Sequence, residues 1–432
     1  MPAKKPQSYV HIDESLCNGC ILCMKVCPTK AIRVKQNRAR IEGICIDCGE
    51  CVRVCPTNAI KAVTSVSDDF KDLPFSIVSA STCIYGQFGE DVMPNDVLLG
   101  LRKMGFRYVH DQAYTNEMFN VAVELYAKEK HQDPAASWPL ISPVCPVVVQ
   151  LIAHNFPSLL PHIPPLIPPR EIVAREAKRR LSAKYGCEED EIKVLHITPC
   201  PAKMLSIKEP LFQSRSYLDG TVGICDIYDT VRQNIQELEE DIVLHHSGGL
   251  GLGWGISGGE VAGVDLKSLA VSRLQEVEAY LERIEMGLLQ DIDYVEFRIC
   301  PEGCVGGLFS VADKYRAKTH IQRLVRMFGV EKRVKYGYVK RLYDKGWFFT
   351  DRQSAQDLAP PHRTESEISG SIERLNRVER ILALLPQKEC GACGAPDCRT
   401  FAEDVVDGRA SLKECVFLEQ DAERGLWAVD TE

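Results

Sequence analysis

The sequence predicts a multidomain protein that combines α+β and α/β domains. Its 432 residues exceed the ~250–300 at which a single hydrophobic core stops growing. Its 19 cysteines fall into three blocks, with eight between residues 17 and 55, four between 390 and 415, and seven in between. Apolar β-rich runs and helical segments mix in the middle of the chain. These observations predict domains at residues 1–70, 71–350 and 371–432, with a linker at 351–370.

Composition limits the classes of function. The hydrophobic share of 45% and the charged share of 26% are typical of globular proteins, and the net charge of −8 argues against binding to nucleic acid or membrane surfaces. The N-terminus MPAKKPQSYV lacks the apolar region of a signal peptide, and no run reaches the ~18 apolar residues of a membrane span. We therefore expect a cytoplasmic protein. An odd cysteine count in a long chain favours metal ligation over disulfides.

The first domain contains an internal repeat with a period of 28 residues. The segments CNGCILCMKVCPTKAI and CIDCGECVRVCPTNAI agree at nine of sixteen positions, and both follow C-x2-C-x2-C-x3-C-P. Three thiolates at this spacing hold one iron–sulfur cubane, while the fourth, before proline, reaches the other cluster. Paired zinc knuckles are the alternative, but zinc motifs lack this ending. The domain resembles bacterial two-cluster ferredoxins, with one [4Fe-4S] cluster expected on Cys17, Cys20, Cys23 and Cys55 and a second on Cys45, Cys48, Cys51 and Cys27.

The middle of the chain predicts an α/β domain. FSIVSA, KVLHIT and YVEFRI are short β-rich runs. EIVAREAKRRLSAKYG predicts a helix that ends at Gly186, and VDLKSLAVSRLQEVEAYLERIEMGLL predicts a second, long helix. Ten prolines between Pro134 and Pro169 exclude a long helix there and predict a constrained, largely irregular stretch.

The last domain is predicted to be small and mainly helical. The polar segment DRQSAQDLAPPHRTESEIS is typical of a linker, and IERLNRVERILALL has a helical period. Four cysteines then follow C-x2-C-x4-C-x16-C, with Gly391 and Gly394 allowing close backbone approach. A structural zinc is the alternative. The spacing resembles the four-cysteine iron–sulfur module of corrinoid iron–sulfur proteins and membrane electron-transport subunits, so a third accessory [4Fe-4S] cluster is expected on Cys390, Cys393, Cys398 and Cys415.

Four of the remaining seven cysteines stand in three loops. Their contexts are SPVCP at Cys145, TPCPAK at Cys200, and CPEGCVGG at Cys300 and Cys304. Proline or glycine beside a thiol suits a ligand-presenting loop better than the interior of a helix or strand. Each cysteine alone could be a buried free thiol. Beside twelve cluster cysteines, however, they indicate a further metal centre; the motif-free cysteines are Cys83, Cys187 and Cys225.

These loops, in this order after a two-cluster ferredoxin module, resemble the signature motifs of [FeFe]-hydrogenases over about residues 10–330. The resemblance implies an H-cluster, in which a [4Fe-4S] cluster shares one thiolate with a diiron subcluster carrying carbon monoxide, cyanide and a bridging dithiolate. It implies that Cys304 is the shared thiolate and that Lys203, in PCPAK, hydrogen-bonds a cyanide ligand. Ser81 and Trp254 match residues around the diiron unit. The implied cubane ligands are Cys145, Cys200, Cys300 and Cys304.

The chain departs from the familiar enzymes of this family along the proton path. Val144 stands where they have a proton-shuttling cysteine, and Thr198 and Arg298 stand at methionine positions. These departures predict slow turnover. Glu302, between two cluster ligands, is the first candidate for a substitute proton relay, although a solvated carboxylate is the alternative interpretation. Further candidates are Glu209, His196, His245 and His246.

The resemblance therefore implies an iron hydrogenase of the ferredoxin hydrogenase type, from a divergent, sensory group. It would reversibly convert dihydrogen to protons and electrons, with three accessory clusters carrying the electrons to a redox or signalling protein partner. A metabolic hydrogenase with a different proton path is a second hypothesis. The third is an electron-transfer or scaffold protein without the diiron subcluster, which the presence of Cys304 and Lys203 disfavours. We expect no nucleic-acid partner, and exposed low-potential clusters favour an anaerobic prokaryote as the host.

Overall fold

The computed structural model describes residues 8–65, 70, 73–239, 242–351 and 365–418. Its strands are β1 (Val10–Ile12), β2 (Ile32–Lys35), β3 (Arg38–Ile41), β4 (Ile60–Ala62), β5 (Ser76–Ala80), β6 (Tyr108–Asp111), β7 (Leu140–Ile141), β8 (Lys193–Thr198), β9 (Gly220–Gly223), β10 (Ser268–Ser272) and β11 (Tyr294–Arg298). Its α-helices are α1 (Leu22–Lys25), α2 (Glu50–Val54), α3 (Pro94–Arg102), α4 (Gln112–Lys130), α5 (Pro146–Asn155), α6 (Pro169–Tyr185), α7 (Ala202–Lys208), α8 (Ile224–Gln236), α9 (Gly249–Leu252), α10 (Leu274–Glu285), α11 (Lys314–Phe328), α12 (Tyr336–Asp344), α13 (Glu365–Leu384) and α14 (Cys398–Val406).

The N-terminal domain contains one small unit twice. Strands β1 and β4 pair antiparallel with Val10 opposite Ala62, and β2 and β3 form an antiparallel pair. Each short helix begins after a residue in the left-handed conformation, Ile21 at φ 61° before α1 and Gly49 at φ 80° before α2. Since α1 and α2 each carry the third cysteine of a motif, the repeat in the sequence is also a repeat in the structure.

Two parallel sheets form the frame of the central domain. The larger has the strand order β6-β5-β8-β9 and the smaller has the order β10-β11-β7, and all pairs within them are parallel. Strands β5 and β11 are buried along their whole length. Ligands of parallel α/β sheets bind beyond the carboxyl ends of the strands. The segments that follow β5, β7, β8 and β11 are therefore the places to look for a site.

The predicted strands and one predicted helix are confirmed. FSIVSA, KVLHIT and YVEFRI contain β5, β8 and β11, and α6 ends where Gly186 takes φ 66°. The prediction of one long helix over residues 264–289 is wrong, because residues 268–272 form β10 and α10 begins only at Leu274. Strand β10 pairs with β11, and Arg273 at φ 85° turns the chain before the helix starts. Tertiary pairing has overridden a helical pattern here.

Helices α13 and α14 form a small C-terminal domain. Helix α13 begins at Glu365, inside the segment predicted as a linker, of which residues 352–364 lie outside the described residues. A buried ion pair joins this domain to the N-terminal domain. The Arg33 guanidinium donates to Asp404 through two nitrogens, one at 3.1 Å, and the side chains are 5% and 3% exposed. None of the helices in the described part of the chain has the length and hydrophobicity needed to cross a bilayer.

Candidate iron–sulfur and active-site centre

Sixteen cysteines line four separate cavities, four to each. Two cavities, of about 310 and 340 Å³, lie in the N-terminal domain, and one of about 350 Å³ lies in the C-terminal domain. Each N-terminal cavity takes three cysteines of one motif and the last cysteine of the other. Cluster binding by these sets stays a prediction. The sets are Cys17, Cys20, Cys23 and Cys55; Cys27, Cys45, Cys48 and Cys51; and Cys390, Cys393, Cys398 and Cys415.

Each set of four cysteines lines one cavity. Among the described residues, no group of three or more His, Cys, Asp or Glu side chains forms a site for a single metal ion. A structural zinc needs four ligands at about 2.0–2.3 Å from one atom, whereas thiolates bind a cubane around its outside. Four cysteines around one cavity are a ligand set for a cubane, and [4Fe-4S] binding stays the prediction from the motif spacing.

The fourth cavity, in the central domain, is about twice as large as the others, at about 700 Å³. Its wall brings together three loops that are far apart in the sequence. The cysteines in the wall are Cys145, Cys200, Cys300 and Cys304. The other residues predicted for the site that lie in the same wall are Ser81, Val144, Lys203, Trp254 and Arg298.

The loops meet because each of them follows a parallel strand. Ser81 directly follows β5, and Cys200 lies two residues beyond β8. Cys300 lies two residues beyond β11, while Cys145 follows β7 and precedes the first residue of α5. The carboxyl ends of both parallel sheets therefore supply the site, as expected for parallel α/β sheets.

Two glycines allow the third loop to pack against its neighbours. A Cβ on Gly303, which has φ 92°, would lie 2.4 Å from the backbone nitrogen of Ser257. A Cβ on Gly307 would lie 2.5 Å from the carbonyl oxygen of Pro199, which also accepts a hydrogen bond from the Phe309 amide at 2.9 Å. A larger residue at Gly303 would push this loop away from Ser257, and one at Gly307 would push it away from the loop of the second motif.

A buried lysine places positive charge in the cavity wall. Lys203, on α7, is 8% exposed, and its Nζ lies 3.3 Å from Nε2 of His196. Nδ1 of His196 in turn lies 3.1 Å from Oγ of Ser79. Burial lowers the pKa of Lys203, while the neighbouring Cys304 thiolate opposes this shift. The buried ring of His196 therefore orients the Lys203 ammonium, whose charge faces the thiolates.

Two buried carboxylates behind the cavity were not predicted from the sequence. Glu260 accepts hydrogen bonds from Ser142 Oγ at 2.8 Å and from the Tyr294 hydroxyl, and it pairs with the Arg298 guanidinium. Glu296 lies 3.6 Å from Nε of the same arginine. Burial raises the pKa of Glu296 to about 7, although the arginine opposes the shift. A sequence signal existed, because this glutamate interrupts the buried strand YVEFR.

This carboxylate pair connects the cavity wall with a half-buried loop. The amide of Val144, which lines the cavity, donates to Ser142 Oγ at 3.3 Å, and Ser142 donates to Glu260. On the other side, Glu296 accepts from the amide of half-buried Gly258 at 3.2 Å. The hydroxyl and the two carboxylates are groups that can hold or pass a proton.

Polar atoms without partners in the cavity wall indicate which kind of group would fit the cavity. Among the described residues, two buried donors there have neither a hydrogen-bond nor an ion-pair partner, namely Nε of Arg170 and Nε1 of Trp254. An unsatisfied buried polar group costs about 1–3 kcal/mol. An anionic cluster with acceptor ligands would satisfy such donors, so the residues present fit an H-cluster.

The structure does not bring the predicted relay Glu302 into the cavity wall. Its carboxylate pairs with Lys318 Nζ at 2.6 Å on a partly exposed surface. Glu209 lines a neighbouring pocket, His245 pairs with a buried aspartate at 2.8 Å, and His246 is exposed. A relay role for Glu302 stays a hypothesis that this position does not favour.

Cys83, which has no sequence motif, lies beside the site. Its thiol is fully buried and donates to Ser81 Oγ at 3.3 Å. Burial, together with the neighbouring Cys304 thiolate, raises the pKa of Cys83 to about 12. At neutral pH it therefore stays a thiol and orients the Ser81 hydroxyl.

Contacts between the domains place the four cavities in a row. Arg53, on α2, donates to the carbonyl oxygen of Gly306 at 2.7 Å and lies 3.6 Å from Sγ of Cys300. This contact joins the second half of the N-terminal domain to the central cavity. At the other end, Lys25 on α1 donates to the carbonyl oxygen of Pro396 at 2.6 Å, in the loop of the C-terminal cysteines. The two N-terminal cavities therefore lie between the C-terminal cavity and the central one.

The four cysteine-lined cavities, of which the largest lies where two parallel sheets end, indicate an iron–sulfur protein. Residues 75–264 match the family described as "Iron only hydrogenase large subunit, C-terminal domain". Residues 9–56 match the family "4Fe-4S dicluster domain", and residues 385–417 match a family of Fe–S cluster domains. The central domain is therefore similar to the iron-only hydrogenase large subunit over residues 75–264.

Curated relatives match parts of the chain. The NADP-reducing hydrogenase subunit HndD of Solidesulfovibrio fructosivorans is 24% identical over 231 residues, which cover 51% of this chain and 35% of that protein. The large subunit of the corrinoid/iron-sulfur protein of Moorella thermoacetica is 43% identical over 46 residues, which cover 11% of this chain and 10% of that protein. A component of the ion-translocating oxidoreductase complex of Thiobacillus denitrificans is 42% identical over 50 residues, which cover 12% of this chain and 27% of that protein. The chain therefore spans about a third or less of the length of these relatives.

Solved structures support the fold. The [FeFe]-hydrogenase HydA(deltaEFG) superposes with a TM-score of 0.53 at 15% identity, covering 67% of this chain and 96% of that one. A variant of [FeFe]-hydrogenase HydA1 from Chlamydomonas reinhardtii gives a TM-score of 0.51 at 15% identity, covering 65% and 94%. The likeness covers nearly all of each of these chains and shows a shared fold.

Proposed function

We propose that the protein is an iron hydrogenase that slowly interconverts dihydrogen with protons and electrons and serves as a hydrogen sensor. The central cavity carries this proposal. Four cysteines from three loops and Lys203 share one wall, and the cavity has about twice the volume of the other cysteine-lined cavities. A cubane alone would need the thiolates, and an attached diiron subcluster would need the additional space.

Each residue of the wall then has a separate task. Cys145, Cys200, Cys300 and Cys304 would hold the cubane, with Cys304 as the thiolate shared with the diiron unit. When bound, the diiron unit supplies the site at which dihydrogen is split or formed. The Lys203 ammonium and the Ser81 hydroxyl would donate hydrogen bonds to its anionic ligands. Trp254, packed edge-on against Phe119 with ring centroids 5.7 Å apart, keeps water from this side of the cavity.

The row of cavities supports an electron route. Three accessory [4Fe-4S] clusters, two in the N-terminal domain and one in the C-terminal domain, would carry electrons away from the central centre. The C-terminal cluster, with Cys390 exposed, would be the outermost. It is the proposed point of exchange with a redox or signalling protein partner, in the cytoplasm of an anaerobic prokaryote.

Val144 supports slow turnover and a sensory role. It lines the cavity at the position of the familiar proton-shuttling cysteine, and its side chain cannot carry a proton. Protons would instead pass from the cavity to Ser142 and Glu260, and then to Glu296 at the half-buried loop. A hydroxyl and two carboxylates that share Arg298 give a longer path than a single thiol.

Infrared spectroscopy after maturation tests the proposal. The full chain, with its iron–sulfur clusters reconstituted under anaerobic conditions, is incubated with a synthetic diiron cofactor. We expect bands of iron-bound carbonyl and cyanide, together with weak hydrogen evolution and uptake. The matched variant Cys304→Ser should lack the bands, because it lacks the bridging thiolate. Missing bands in the wild-type protein would contradict the hydrogenase and favour an electron-transfer protein, whereas fast turnover would favour a metabolic enzyme.

A further inference from the structure

Arg170 is a buried cation in the cavity wall for which the proposed mechanism has no task. It is the second residue of α6, it is 6% exposed, and it lines the central cavity. Its Nη1 donates to the carbonyl oxygen of Val144 at 3.0 Å, and its Nη2 lies at 3.5 Å from Ser206 Oγ. These contacts fix the guanidinium against the loop of the first motif, while Nε, although buried, has no partner among the described residues.

This position is unfavourable for a cation unless an anion lies nearby. The N-terminus of a helix carries partial positive charge and disfavours a cation by about 0.3–1 kcal/mol. Burial of an unpaired charge costs considerably more free energy. Arginine cannot lower this cost by losing its proton, because its guanidinium stays protonated in proteins. A compensating anion is therefore expected within reach of Arg170.

The protein itself supplies no carboxylate partner to Arg170 in the described part of the chain. The carboxylate of the next residue, Glu171, is used by Ser216 Oγ at 2.9 Å and by the Tyr217 amide at 2.9 Å. Burial lowers the pKa of Arg170, and Glu171 and then the thiolates of the cavity oppose this shift. Glu209 shares a second pocket wall with Arg170 but forms no ion pair with it, so the cavity thiolates are the next source of negative charge after Glu171.

We propose that Arg170 binds the anionic group of the central cavity, donating a hydrogen bond from Nε and offsetting its negative charge. This inference rests on the proposed function, because it takes the H-cluster as the occupant. Lys203, from α7, and Arg170, from α6, then contact the group from two different helices. Arg170 thereby links the group to Val144, so that the loop of the first motif and the cluster are held by one side chain.

Three variants of the full chain, matured with the synthetic diiron cofactor, test this assignment. Arg170→Met removes the charge and the donors, and Arg170→Lys keeps the charge without the planar fork. Arg175→Met is the control, because Arg175 lies on the same helix but packs on the Trp347 ring at 5.2 Å. The readouts are the infrared cyanide and carbonyl bands and the midpoint potential of the H-cluster, followed by spectroelectrochemistry.

We expect Arg170→Met to shift the cyanide bands and to make the midpoint potential more negative, because loss of a nearby cation disfavours the reduced state. Arg170→Lys should lie between this variant and the wild type, and Arg175→Met should match the wild type. Bands and potential unchanged in Arg170→Met would overturn the inference while leaving the hydrogenase intact. Equal shifts in the Met and Lys variants would also overturn it, since they would indicate a structural role of the guanidinium alone. Missing bands in the wild type would instead remove the proposed function, and this inference with it.

Discussion

The ammonium of Lys203 lies 3.3 Å from Nε2 of His196 in the wall of the central cavity. His196 is fully buried, and burial lowers its pKa well below the usual value, with the cations Lys203 and Arg170 adding to the effect. The ring is therefore neutral at physiological pH. Nε2 accepts from the ammonium, and the proton on Nδ1 is donated to Ser79 Oγ at 3.1 Å. The lysine is thus oriented by a ring on β8, and its full positive charge remains for the cavity.

Replacement of His196 by leucine should destabilise the protein and disturb the lysine. The variant leaves a buried ammonium without its acceptor, so the free energy of unfolding should fall by about 1–3 kcal/mol in denaturant titrations. The cyanide bands of the matured protein should shift as well. His196→Gln, whose amide oxygen can accept the same hydrogen bond, is the control and should lie closer to the wild type. Equal stability and identical bands in the leucine variant would show that the contact is unimportant.

Replacement of Glu260 by glutamine should slow hydrogen turnover by about 10²-fold, because general acid–base groups contribute 10²–10⁴-fold. The amide keeps the size of the side chain and hydrogen-bonds Ser142, but it cannot pass a proton. The infrared bands should remain, because Glu260 is separated from the cavity by Arg298 and Ser142. Turnover is measured by hydrogen evolution with a chemical reductant.

Glu302→Gln is the matched control for this experiment. Since Glu302 pairs with Lys318 at 2.6 Å outside the cavity wall, its replacement should leave turnover within a factor of about two, as expected for surface substitutions. If Glu302→Gln slows turnover while Glu260→Gln does not, the relay predicted from the sequence is the right one, and the path through Glu260 is wrong.

Glu296 should make the stability of the protein depend on pH. Its pKa of about 7 in the folded protein lies above the ordinary value of 4.5. The proton-bound form is therefore favoured by folding. The stabilisation that Glu296 contributes is fully present below its pKa in the unfolded chain, which is the ordinary value of 4.5. It is lost as the pH rises through about 7, its pKa in the folded protein. Because a pKa that differs between the folded and unfolded states changes stability with pH, the free energy of unfolding should differ by about 3 kcal/mol between the low-pH and high-pH limits.

Glu296→Gln removes this dependence, because the amide does not titrate. The difference in unfolding free energy between the variant and the wild type, measured from pH 4.5 to pH 8, should therefore grow in favour of the variant. The charged groups facing Glu296 are Arg298 and Glu260, and both remain in the variant. A constant difference across this range would mean that Glu296 is ionised throughout.

The sequence predicts the cysteine sets because their spacing is local, while the residues around them come together only in the fold. The prolines between 134 and 169 predicted irregular structure, yet α5 runs for ten residues from Pro146, since proline at the first helical position suits a helix start. Glu260 and Glu296 were missed because one follows α9 and the other lies on β11. In the sequence, their common partner Arg298 stands out only as a departure from a family motif.

The buried pair of Arg33 and Asp404 should control electron transfer to the C-terminal domain. Because both side chains are 5% or less exposed, Arg33→Met removes the buried partner of Asp404 and leaves only Arg409, at 3.0 Å and 41% exposed, which we expect to cost about 1–3 kcal/mol. The interface that holds Lys25 against the loop of the C-terminal cysteines should then open. In the fully reduced protein, the magnetic interaction between the C-terminal cluster and its neighbour should weaken in electron paramagnetic resonance spectra, and proteases should cleave the domain faster.

Two further variants distinguish the loss of contact between the two domains from a general destabilisation of the protein. Arg40→Met removes the arginine of an exposed pair with Glu14, with side chains 60% and 44% exposed, and should change neither the spectra nor proteolysis. The double variant Arg33→Met with Asp404→Leu removes both buried charges and should regain part of the contact between the domains, because no buried carboxylate remains there and Arg409 still pairs with Asp407 at 2.8 Å. If Arg33→Met retains the magnetic interaction of the wild type, the ion pair does not hold the two domains together, and electrons reach the C-terminal cluster without it.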